Sequence, residues 1–470
     1  EEDMDLQTLL KSSGQEHLAS HAATLSQVSQ NQLQQTLAQW DWDGMPALID
    51  ALVLHDGESP CYDDFGPASY YPFPAESAAQ EQRYQQAAAI GEVAINAGKV
   101  AALTVAGGQG TRLGHDGPKG TYGVSPLRDK SLFQLFAESI RRESELAGRK
   151  LFWYIMTSPI NDAPTRAFFV ENDYFGLATE QITFFPQGTM PVFDLQGGML
   201  LAGPDEPATS PDGHGGTLTA LRRNGCLQHM ENHGVELLSY FQVDNALTTI
   251  FDRTFVGLHL QDQAEMSSRC IMKDHPHDRL GNFGLIDDRL TVIEYSDLPD
   301  AMAQLREDDG RLTIRVGSPG IHLINRAFVE RLTDRALQLP FHRAVKKVPF
   351  LDPETGEMVR PDAANAVKLE QFIFDAFPRA ERYVLYQALK ERELGPVKNK
   401  VGDDSRESAE RLMIAEHARW LEAAGHEVPR NEAGEPLHRI EISPCSYVSE
   451  ADLIANGPDS VTLGSDLYVE

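Results

Sequence analysis

Cysteine is scarce in this 470-residue chain, and the four that occur, Cys61, Cys226, Cys270 and Cys445, lie far apart without a C-x-x-C pair. This spacing argues against a disulfide framework and against a structural zinc site, so we interpret all four as ordinary thiols. Long hydrophobic runs are also missing, since no uninterrupted apolar run reaches the ~18 residues that span a bilayer. The N-terminal stretch EEDMDLQTLLKSSGQ is acidic and is not a secretory signal. We therefore expect a cytoplasmic protein with no membrane partner.

Positive charge is in deficit. The chain has 41 Lys and Arg residues against 70 Asp and Glu residues, which gives a formal net charge of −29. A field of this sign repels nucleic acids and anionic membranes, so we expect no nucleic-acid partner. A lysine or arginine that binds an anionic ligand must do so within this overall negative field. Arg112 and Lys119 are therefore stronger indications of an anion-binding site than they would be in a basic protein.

The usual nucleotide-binding fingerprints are absent as well. The Walker A pattern G-x-x-x-x-G-K-[ST] does not occur, and the G-x-G of Gly108 and Gly110 is followed by Leu113 where the Rossmann fingerprint has its third glycine. An NAD- or ATP-dependent α/β enzyme would require one of these patterns. What the chain has instead is the glycine-rich segment VAALTVAGGQGTRLGHDGPKG, directly behind an apolar run. Glycines this dense indicate a backbone that passes close to a ligand.

Three regions follow from the patterns along the chain. Residues 1–98 are predicted to be helical, with helices in LSQVSQNQLQQTLAQW and QRYQQAAAIGEVAINAG and a helix stop at Gly98. Residues 99–401 form the second and longest region. Residues 402–470 form a small C-terminal domain, in which a helix over DDSRESAERLMIAEHARWLEAAGH precedes short strand-like pieces in HRIEISPCSYVSEADLI.

Short apolar runs alternate with helical stretches in the middle region. KVAALTVA, KLFWYIMTS, QITFFPQ and VELLSYFQVDN read as strands, whereas SLFQLFAESIRRESELAG, APTRAFFVEN and TLTALRRNGCLQHMENHG read as helices, the first with Ser131 as its N-cap. This alternation predicts a doubly wound, mostly parallel α/β sheet. Ligands bind at the carboxyl ends of such strands, where the glycine-rich segment and the acidic end of FQVDN both fall.

The residues alone suggest a phosphate site in this region. Backbone N–H groups of the glycine-rich segment can face a nucleotide, and Arg112 and Lys119 supply positive charge. Asp244 in FQVDN can hold Mg²⁺ between phosphates. An acidic strand-end cap or Asx turn is the alternative interpretation of Asp244.

LTVAGGQGTRLGHDGPKGTYGV resembles the signature loop of the UDP-N-acetylhexosamine pyrophosphorylases, within the wider UDP-sugar pyrophosphorylase (UDPGP type 1) family. The likeness continues in order through FFPQGTMPVFD, SPDGHGGTLTAL, FQVDNALTTIFDRTFVG, VIEYSDLP, FHRAVKKVPFLD, AVKLEQFIFDAF and RERELGPVKNK. It covers roughly residues 80–425. The resemblance implies a nucleotidyltransferase fold (Rossmann-like and GT-A-like, with a doubly wound mixed sheet), flanked by the helical and C-terminal regions. It also implies that residues 99–401 are the catalytic domain, which binds the nucleotide and the sugar.

The resemblance also implies a reaction, in which UTP and a sugar 1-phosphate give a UDP-sugar and pyrophosphate with Mg²⁺, Mn²⁺ being the alternative ion. Asp244 falls on the family's metal position. Lys119 in GPKG and Lys398 in GPVKN fall on its two principal phosphate lysines, and Arg112 is expected on the pyrophosphate side. Lys346 and Lys347 are secondary candidates, with a solvated surface pair as the equal alternative.

The nucleotide-binding residues implied by the resemblance are Ala106, Gly107, Gly108, Gly110, Thr111, Gln187, Gly213 and His214. The carboxamide of Gln187 can donate and accept at once, which suits a uracil edge. His214 stands where the animal enzymes commonly have asparagine. We interpret it as a hydrogen-bonding residue without an acid–base role.

The sugar-binding residues implied by the resemblance are Gly281, Glu294, Tyr295, His322, Asn325, Phe372 and Phe374. For the two phenylalanines, which fall near the family's N-acetyl group, a role in the core is a strong alternative. VGSPGIHLINRAF replaces the family's GNIANHFF, so that a sugar-contacting asparagine falls on His322 while Asn325 is kept. N-acetylglucosamine 1-phosphate is the expected substrate.

Two alternatives remain open. Glucose or galactose 1-phosphate, or a broad range of sugars, is the second choice because of His322. A non-catalytic UDP-sugar sensor is the distant one, since a sensor could lose Asp244 or Lys398, and both are present. The sequence leaves the oligomeric state open.

Overall fold

The computed structural model describes residues 5–57, 62, 64–334 and 339–470; Cys61 lies outside them. The chain divides into two compact units, each built from three segments. The first unit comprises Glu1–Cys61, Gln187–Thr219 and Gln338–Asp375, and the second comprises Tyr62–Pro186, Ala220–Leu337 and Ala376–Glu470. The predicted boundaries after residues 98 and 401 remain a separate, sequence-based proposal.

The α-helices in the described residues are α1 Leu6–Ser12, α2 Ala19–Thr24, α3 Gln27–Leu37, α4 Met45–Ile49, α5 Ala78–Asn96, α6 Leu132–Ala147, α7 Asp162–Glu171, α8 Gly216–Arg223, α9 Cys226–Asn232, α10 Arg253–Gln261, α11 Asp300–Ala303, α12 Arg326–Leu332, α13 Lys390–Glu393, α14 Arg406–Ala423 and α15 Glu450–Asn456.

The β-strands in the described residues are β1 Gly66–Pro67, β2 Val100–Val105, β3 Trp153–Thr157, β4 Ile182–Pro186, β5 Thr189–Pro191, β6 Phe193–Asp194, β7 Leu201–Gly203, β8 Glu206–Pro207, β9 Thr209–Pro211, β10 Leu237–Gln242, β11 Met266–Met272, β12 Gly281–Ile286, β13 Arg289–Ile293, β14 Val316–Ser318, β15 His322–Asn325, β16 Phe341–Lys346, β17 Phe350–Leu351, β18 Met358–Val359, β19 Ala366–Gln371, β20 Tyr383–Gln387, β21 Ile440–Ile442 and β22 Leu467–Val469.

A large mixed sheet forms the centre of the second unit. Its strand order is β1-β12-β14-β11-β15-β10-β2-β3-β4, with β13 paired to β12 and β20 paired to β11. β10, β2, β3 and β4 are parallel, whereas β15 is antiparallel to both β10 and β11. The mixed α/β sheet implied by the resemblance is confirmed. The mostly parallel sheet expected from the strand–helix alternation is wrong, because β1, β12, β13, β14 and β15 pair with their neighbours antiparallel. The continuous parallel part is the half that contains β2 and β10.

The parallel half is buried on both faces because helices cover it. The side chains of β3 from Trp153 to Met156 are fully buried, as are those of β2 from Ala101 to Leu103. α6 begins at the predicted N-cap, where the Ser131 hydroxyl accepts a hydrogen bond from the Gln134 amide at 3.1 Å. α5 ends at the predicted stop, Gly98, whose φ is +72°. Caps and buried runs of this kind are the sequence signals that predicted these elements.

Two local predictions differ from the structure. TLTALRRNGCLQHMENHG forms two helices, α8 and α9, because Gly225 with φ +72° interrupts the run. In the C-terminal region β21 is a strand, but the segment after it contains α15 instead of another strand. The Ser449 hydroxyl caps α15 by accepting from the Asp452 amide at 3.1 Å, a helix-start signal that the short apolar pattern obscured.

The first unit combines the N-terminal helices with small antiparallel sheets. The sheets are β16-β19-β6, β18-β17-β7-β8 and β5-β9. Leu10, Leu33 and Leu37 from the helices join Phe193 and Leu369 from the strands in one buried core. Trp40 closes its edge by donating its indole N–H to the Thr189 carbonyl at 2.6 Å. Sequence patterning predicted the helices, but not their strand partners, which come from distant segments.

The described cysteines are free thiols, as predicted. Cys226 and Cys270 are buried, and burial raises the pKa of each thiol to about 12. Cys445 is partly buried. In the part of the chain that the structure describes, no helix is long and apolar enough to cross a membrane.

Candidate active site

The glycine-rich segment leaves the sheet where β2 ends beside β10. Val105 pairs with Gln242 in parallel register, and the Val243 amide donates to the Val105 carbonyl at 3.1 Å. The segment then folds back on itself, since the Gly110 amide donates to the Gly117 carbonyl at 2.9 Å and the Lys119 amide donates to the Gly108 carbonyl at 3.1 Å. A compact loop therefore lies at the carboxyl end of the parallel strands, the usual ligand-binding edge of such a sheet.

The glycines of this loop have different reasons for being glycine. A Cβ on Gly108 would meet no atom within 4 Å, so this exposed residue leaves open space beside its backbone. A Cβ on Gly120 would lie 2.2 Å from Cε2 of Phe133, a fully buried ring. The open space at Gly108 suits the approach of a ligand, whereas glycine at position 120 is required by the packing of the core.

Asn161 supports the loop from below, although the sequence analysis did not single it out. It is fully buried, and its Nδ2 donates to the carbonyls of Gly107 at 2.7 Å and Gly108 at 3.0 Å. Its Oδ1 accepts from Gln109 Nε2 at 2.5 Å. The available signal was the position of Asn161 just after β3, at the same edge of the sheet as the loop.

Lys119 and Asp244 come together although 125 positions separate their numbers in the chain. Lys119 Nζ lies 3.7 Å from Asp244 Oδ2, and the two side chains are only 16% and 18% exposed. Lys119 stands in a short 3₁₀ turn of the glycine-rich loop, whereas Asp244 follows β10. A cation and a carboxylate that face each other at this edge can separate to meet a phosphate and a metal ion.

The backbone beside Lys398 is attached to the same place. The Val397 amide donates to the Asp244 carbonyl at 2.8 Å, and Lys398 itself is exposed. Asn245 holds the two segments together, because its Oδ1 accepts from the Gly395 amide at 2.9 Å and its Nδ2 donates to the Glu393 carbonyl at 2.8 Å. Arg112 is exposed in the 3₁₀ turn Thr111–Leu113 of the loop. The structure thus brings Lys119, Asp244 and the Lys398 segment together.

A buried ion cluster underlies these segments. Arg269 is 3% exposed and donates to Asp252 Oδ2 at 3.0 Å and to Glu393. Burial raises the pKa of Glu393 to about 7, although Arg269 opposes the rise. Because Glu393 also accepts from Asn245 through its backbone, the cluster fixes the segment that leads to Lys398. Sequence reasoning missed this cluster, since its members come from three separate elements.

Three predicted sugar-side residues lie on the β12–β13 hairpin. Gly281 begins β12 opposite Ser318, and Glu294 and Tyr295 follow β13. A Cβ on Gly281 would lie 3.6 Å from Glu294 Oε1, so the two positions are neighbours. Burial, followed by the charge of Asp297, raises the pKa of Glu294. Tyr295 is 46% exposed.

Lys273 lies close to this hairpin and was not predicted from the sequence. It is buried, and its Nζ donates to Asn282 Oδ1 at 2.7 Å. Burial lowers the pKa of Lys273.

His322 and Asn325 lie at opposite ends of β15. His322 pairs with Tyr240 of β10 and is 2% exposed, with its ring stacked on Tyr240 at 5.2 Å and its Nδ1 2.9 Å from Ser268 Oγ. Asn325 pairs with Leu237, at the end of β10 away from Asp244. The structure therefore places Asn325 away from the end of β10 that leads to Asp244.

The amide of Asn325 has partners of its own. Nδ2 donates to the Ala264 carbonyl, and Oδ1 lies 2.8 Å from His259 Nε2. Burial lowers the pKa of His259 to about 4. A neutral imidazole that donates to Asn325 fits this geometry.

Three of the predicted nucleotide-binding residues, Gln187, Gly213 and His214, belong to the first unit. Gln187 is 8% exposed and donates through Nε2 to the Gly213 carbonyl at 2.8 Å. His214 Nδ1 accepts from the Ile373 amide at 3.0 Å, which puts the ring proton on Nε2. Burial, with a smaller contribution from His342, lowers the pKa of His214 to about 4. A neutral ring with an Nε2–H donor supports the interpretation of His214 as a hydrogen-bonding residue.

Two aromatic rings surround His214. Phe372 stacks on it with centroids 5.5 Å apart, and Phe374 lies 5.7 Å away. Both phenylalanines are partly buried. The first unit therefore brings Gln187, Gly213, His214, Phe372 and Phe374 into one group, while Lys346 and Lys347 are exposed at the end of β16.

A metal ion could be held at Asp244. Within residues 5–57, 62, 64–334 and 339–470 no three His, Cys, Asp or Glu side chains are grouped to hold a metal ion. A hard cation such as Mg²⁺ is commonly bound by one or two carboxylates together with substrate phosphates. Asp244, at the ligand-binding edge and facing Lys119, fits that arrangement.

The chain is similar to a known protein family over most of its length. The UDPGP family model, described as UTP–glucose-1-phosphate uridylyltransferase, matches residues 69–441. The UDP-N-acetylglucosamine pyrophosphorylase of Saccharomyces cerevisiae is 36% identical over 349 residues, which cover 72% of each chain. The human UDP-N-acetylhexosamine pyrophosphorylase-like protein 1 is 33% identical over 483 residues, which cover 95% of this chain and 94% of the human one.

Solved structures show the same fold. The uridine diphosphate N-acetylglucosamine pyrophosphorylase from Trypanosoma brucei, crystallised with an inhibitor, superposes with a TM-score of 0.79 at 26% identity, over 100% of this chain and 98% of that one. A UDP-glucose pyrophosphorylase mutant from Leishmania major reaches a TM-score of 0.62 at 15% identity, over 91% and 87% of the two chains, which supports the fold alone. On the match over residues 69–441 and the identity to full-length relatives, the chain belongs to the UTP–glucose-1-phosphate uridylyltransferase (UDPGP) family.

Proposed function

We propose that this protein is a uridylyltransferase that converts UTP and N-acetylglucosamine 1-phosphate to UDP-N-acetylglucosamine and pyrophosphate. The observation that carries the proposal is the meeting of Lys119, Asp244 and the Lys398 segment at the carboxyl ends of β2 and β10. The relatives at 36% and 33% identity, with UDP-N-acetylglucosamine or UDP-N-acetylhexosamine in their names, favour this sugar over glucose or galactose.

The reaction needs alignment and neutralisation of charge, because both substrates are anions. A phosphate oxygen of the sugar 1-phosphate attacks the α-phosphorus of UTP, the new P–O bond forms, and the bond to the β-phosphate oxygen breaks so that pyrophosphate leaves. No covalent enzyme intermediate is needed. We assign Lys119 and Arg112 to the α-phosphate and pyrophosphate, and Lys398 to the sugar phosphate.

Asp244 is the residue that would hold the divalent metal that nucleotidyltransferases of this family typically use. We propose Mg²⁺, with Mn²⁺ as the alternative, because a carboxylate is a hard oxygen ligand. The ion would supply additional positive charge to the phosphates. Lys119, 3.7 Å from Asp244, supplies charge from the protein side. Asn161 and Asn245 hold the two loops in position through the hydrogen bonds described above.

The remaining roles follow from the separate groups of residues. We propose that Gln187 and the Nε2–H of His214 recognise uracil and ribose, and that Phe372 and Phe374 lie beside the N-acetyl group. Gly281, Glu294 and Tyr295 are proposed to contact the hexose, with Ala106, Gly107, Gly108, Gly110 and Thr111 along the nucleotide. A cytoplasmic location is part of the same proposal.

We propose a different role for His322 from that of the other sugar-side residues. The ring is buried between Tyr240 and Phe377, so it can shape the pocket wall more readily than reach a hydroxyl.

Pyrophosphate release tests the proposal directly. The protein would be incubated with UTP, Mg²⁺ and each of three sugar 1-phosphates, those of N-acetylglucosamine, glucose and galactose. We expect the highest kcat/KM with N-acetylglucosamine 1-phosphate and almost no release from Asp244→Ala. Preference for glucose or galactose 1-phosphate would keep the chemistry and overturn the sugar. If the protein and Asp244→Ala both bound UTP and were equally inactive, the sensor interpretation would replace the enzyme.

A further inference from the structure

The second unit contains a pocket that is separate from the predicted substrate residues. Its volume is about 110 Å³, and it lies between α6, residues 246–251 after β10, α14 and the segment around β21. Its apolar wall includes Phe136, Phe251, Met413, Trp420 and Tyr447. An engineered apolar cavity of about 150 Å³ accommodates benzene, so this smaller pocket can take up no more than about one aromatic ring.

Three carboxylates line the pocket, and two of them are fully partnered. Glu143 receives two hydrogen bonds from Arg253, at 3.1 and 2.9 Å. Glu416 is bound by Arg419 and Arg392 and accepts from the Trp420 indole N–H at 2.9 Å. These contacts balance their charges within the protein.

Glu441 is different. It is 1% exposed, and its Oε2 accepts from the amides of Leu127 at 2.6 Å and Arg128 at 2.9 Å. Its Oε1 has no hydrogen-bond partner among the described residues. A buried carboxylate oxygen left without a donor is costly, so a ligand that supplied a donor to Glu441 would relieve that cost.

The chemistry of the wall selects the class of ligand. Glu143 and Glu416 are paired with arginines, so the carboxylate of this wall without an arginine or lysine partner among the described residues is Glu441. Its charge disfavours UTP, sugar phosphates and pyrophosphate as occupants. Burial lowers the pKa of His417, which also lines the pocket. An ammonium group on a small aromatic body matches both the free oxygen of Glu441 and the apolar wall.

The pocket also touches both segments of the proposed active site. Residues 246–251 continue directly from Asp244 and Asn245, and the Ala246 amide donates to the Gly395 carbonyl at 3.1 Å. Arg392 lies on α13, the helix that precedes Gly395 and Lys398. A molecule in the pocket would therefore bear on the two backbone segments that position Asp244 and Lys398.

We propose that this pocket binds a small aromatic primary amine through Glu441, and that its occupancy changes the rate of uridylyl transfer. The first part of the proposal, amine binding (the binding half), depends only on the pocket. The second part, the change in the rate of uridylyl transfer (the regulatory half), rests on the proposed function.

The probe for the test is 2-phenylethylamine, with 2-phenylethanol as its uncharged counterpart. Binding would be followed by tryptophan fluorescence, with Trp420→Phe to assign the signal, and rate by pyrophosphate release. Glu441→Gln keeps the shape and removes the charge, Ser139→Leu fills the pocket from α6, and Glu427→Gln removes an exposed carboxylate as the matched control. Circular dichroism would confirm that each variant is folded.

We expect saturable binding of the amine, at least 10-fold weaker binding to Glu441→Gln, none to Ser139→Leu and no change in Glu427→Gln. The alcohol should bind the unmodified protein and Glu441→Gln equally weakly. At saturation the amine should change the rate of pyrophosphate release at least twofold in the unmodified protein and not in Ser139→Leu.

If 2-phenylethylamine does not bind, or binds equally to all variants, the proposed site is overturned. If Glu441→Gln does not fold, the comparison of the unmodified protein with Ser139→Leu decides whether the pocket is the binding site. Binding without a change in rate would overturn the regulatory half. Saturable amine binding by a protein that releases no pyrophosphate with any sugar 1-phosphate would instead overturn the proposed function, and with it the regulatory half, but not the site.

Discussion

Gly215 provides a sharp test of how the first unit is built, because a single methyl group has no room there. In the structure a Cβ on Gly215 would lie 2.7 Å from three backbone atoms, one of Gln371 and two of Phe372, whereas ordinary contact begins at 3.4 Å. The loop cannot yield freely, since the Gly215 amide donates to the Gln371 carbonyl at 2.8 Å and the Gln371 amide donates to the Asp212 carbonyl at 2.7 Å. Gly215→Ala must therefore lengthen these bonds or displace the loop.

The expected cost follows from that geometry. Overpacking against backbone costs about 1–3 kcal/mol, which corresponds to a factor of roughly 5–150. The displaced loop carries Gly213 and His214, and the Gly213 carbonyl accepts from Gln187. We therefore expect Gly215→Ala to raise the KM for UTP by a factor in this range, with a smaller effect on the KM for the sugar 1-phosphate.

The assay is pyrophosphate release with varied UTP, accompanied by thermal unfolding. Gly44→Ala is the matched control, because Gly44 belongs to the same unit, has φ −86°, and offers its Cβ open space. We expect the control to match the unmodified protein in both measurements. A Gly215→Ala variant with unchanged KM for UTP and unchanged unfolding temperature would refute the close approach of this loop to β19.

The other predictions concern single side chains. Gln187→Ala should weaken binding of UTP in calorimetry and leave pyrophosphate binding unchanged, and equal losses for both ligands would contradict the uracil assignment. Asp244→Asn should lower kcat by a factor of at least about 100, a typical loss for one group that stabilises transition-state charge. The control Asp116→Asn, which changes an exposed acid of the glycine-rich loop, should stay near the unmodified rate. Comparable rates for both variants would exclude the metal role of Asp244. The folded-state pKa of His259, about 4, lies below its unfolded value of 6.5, so the unfolded chain binds more protons between these pH values and stability falls as the pH drops. The free energy of unfolding should fall by about 3 kcal/mol below pH 4. Urea unfolding at pH 7.5 and pH 5 should show a smaller effect of pH on stability in His259→Gln than in the unmodified protein. An identical pH dependence in the two proteins would refute the lowered pKa of His259.

The local elements were readable because their signals are local. The buried run of β2, the N-cap at Ser131 and the stop at Gly98 each depend on a few neighbouring residues, and the structure confirms all three. The break at Gly225 and the helix α15 were missed, since short patterns of glycine, serine and apolar residues fit more than one structure.

The sequence by itself determined the α/β class, the carboxyl-end location of the glycine-rich loop and the family, because strand periodicity and ordered motifs are encoded in adjacent residues. Only the tertiary structure decided which residues support these motifs. Asn161, Asn245 and the Arg269 cluster act through contacts between residues far apart in the chain. The sequence places Asn161 and Asn245 just after β3 and β10, but it does not show which backbone groups they bind. Gly120 is a glycine because Phe133 lies against it, and Asn325 lies apart from Asp244 because antiparallel register carries it to the other end of β10. Spacing along the chain specifies neighbours within a strand or helix, whereas pairing between strands decides which distant side chains share an edge.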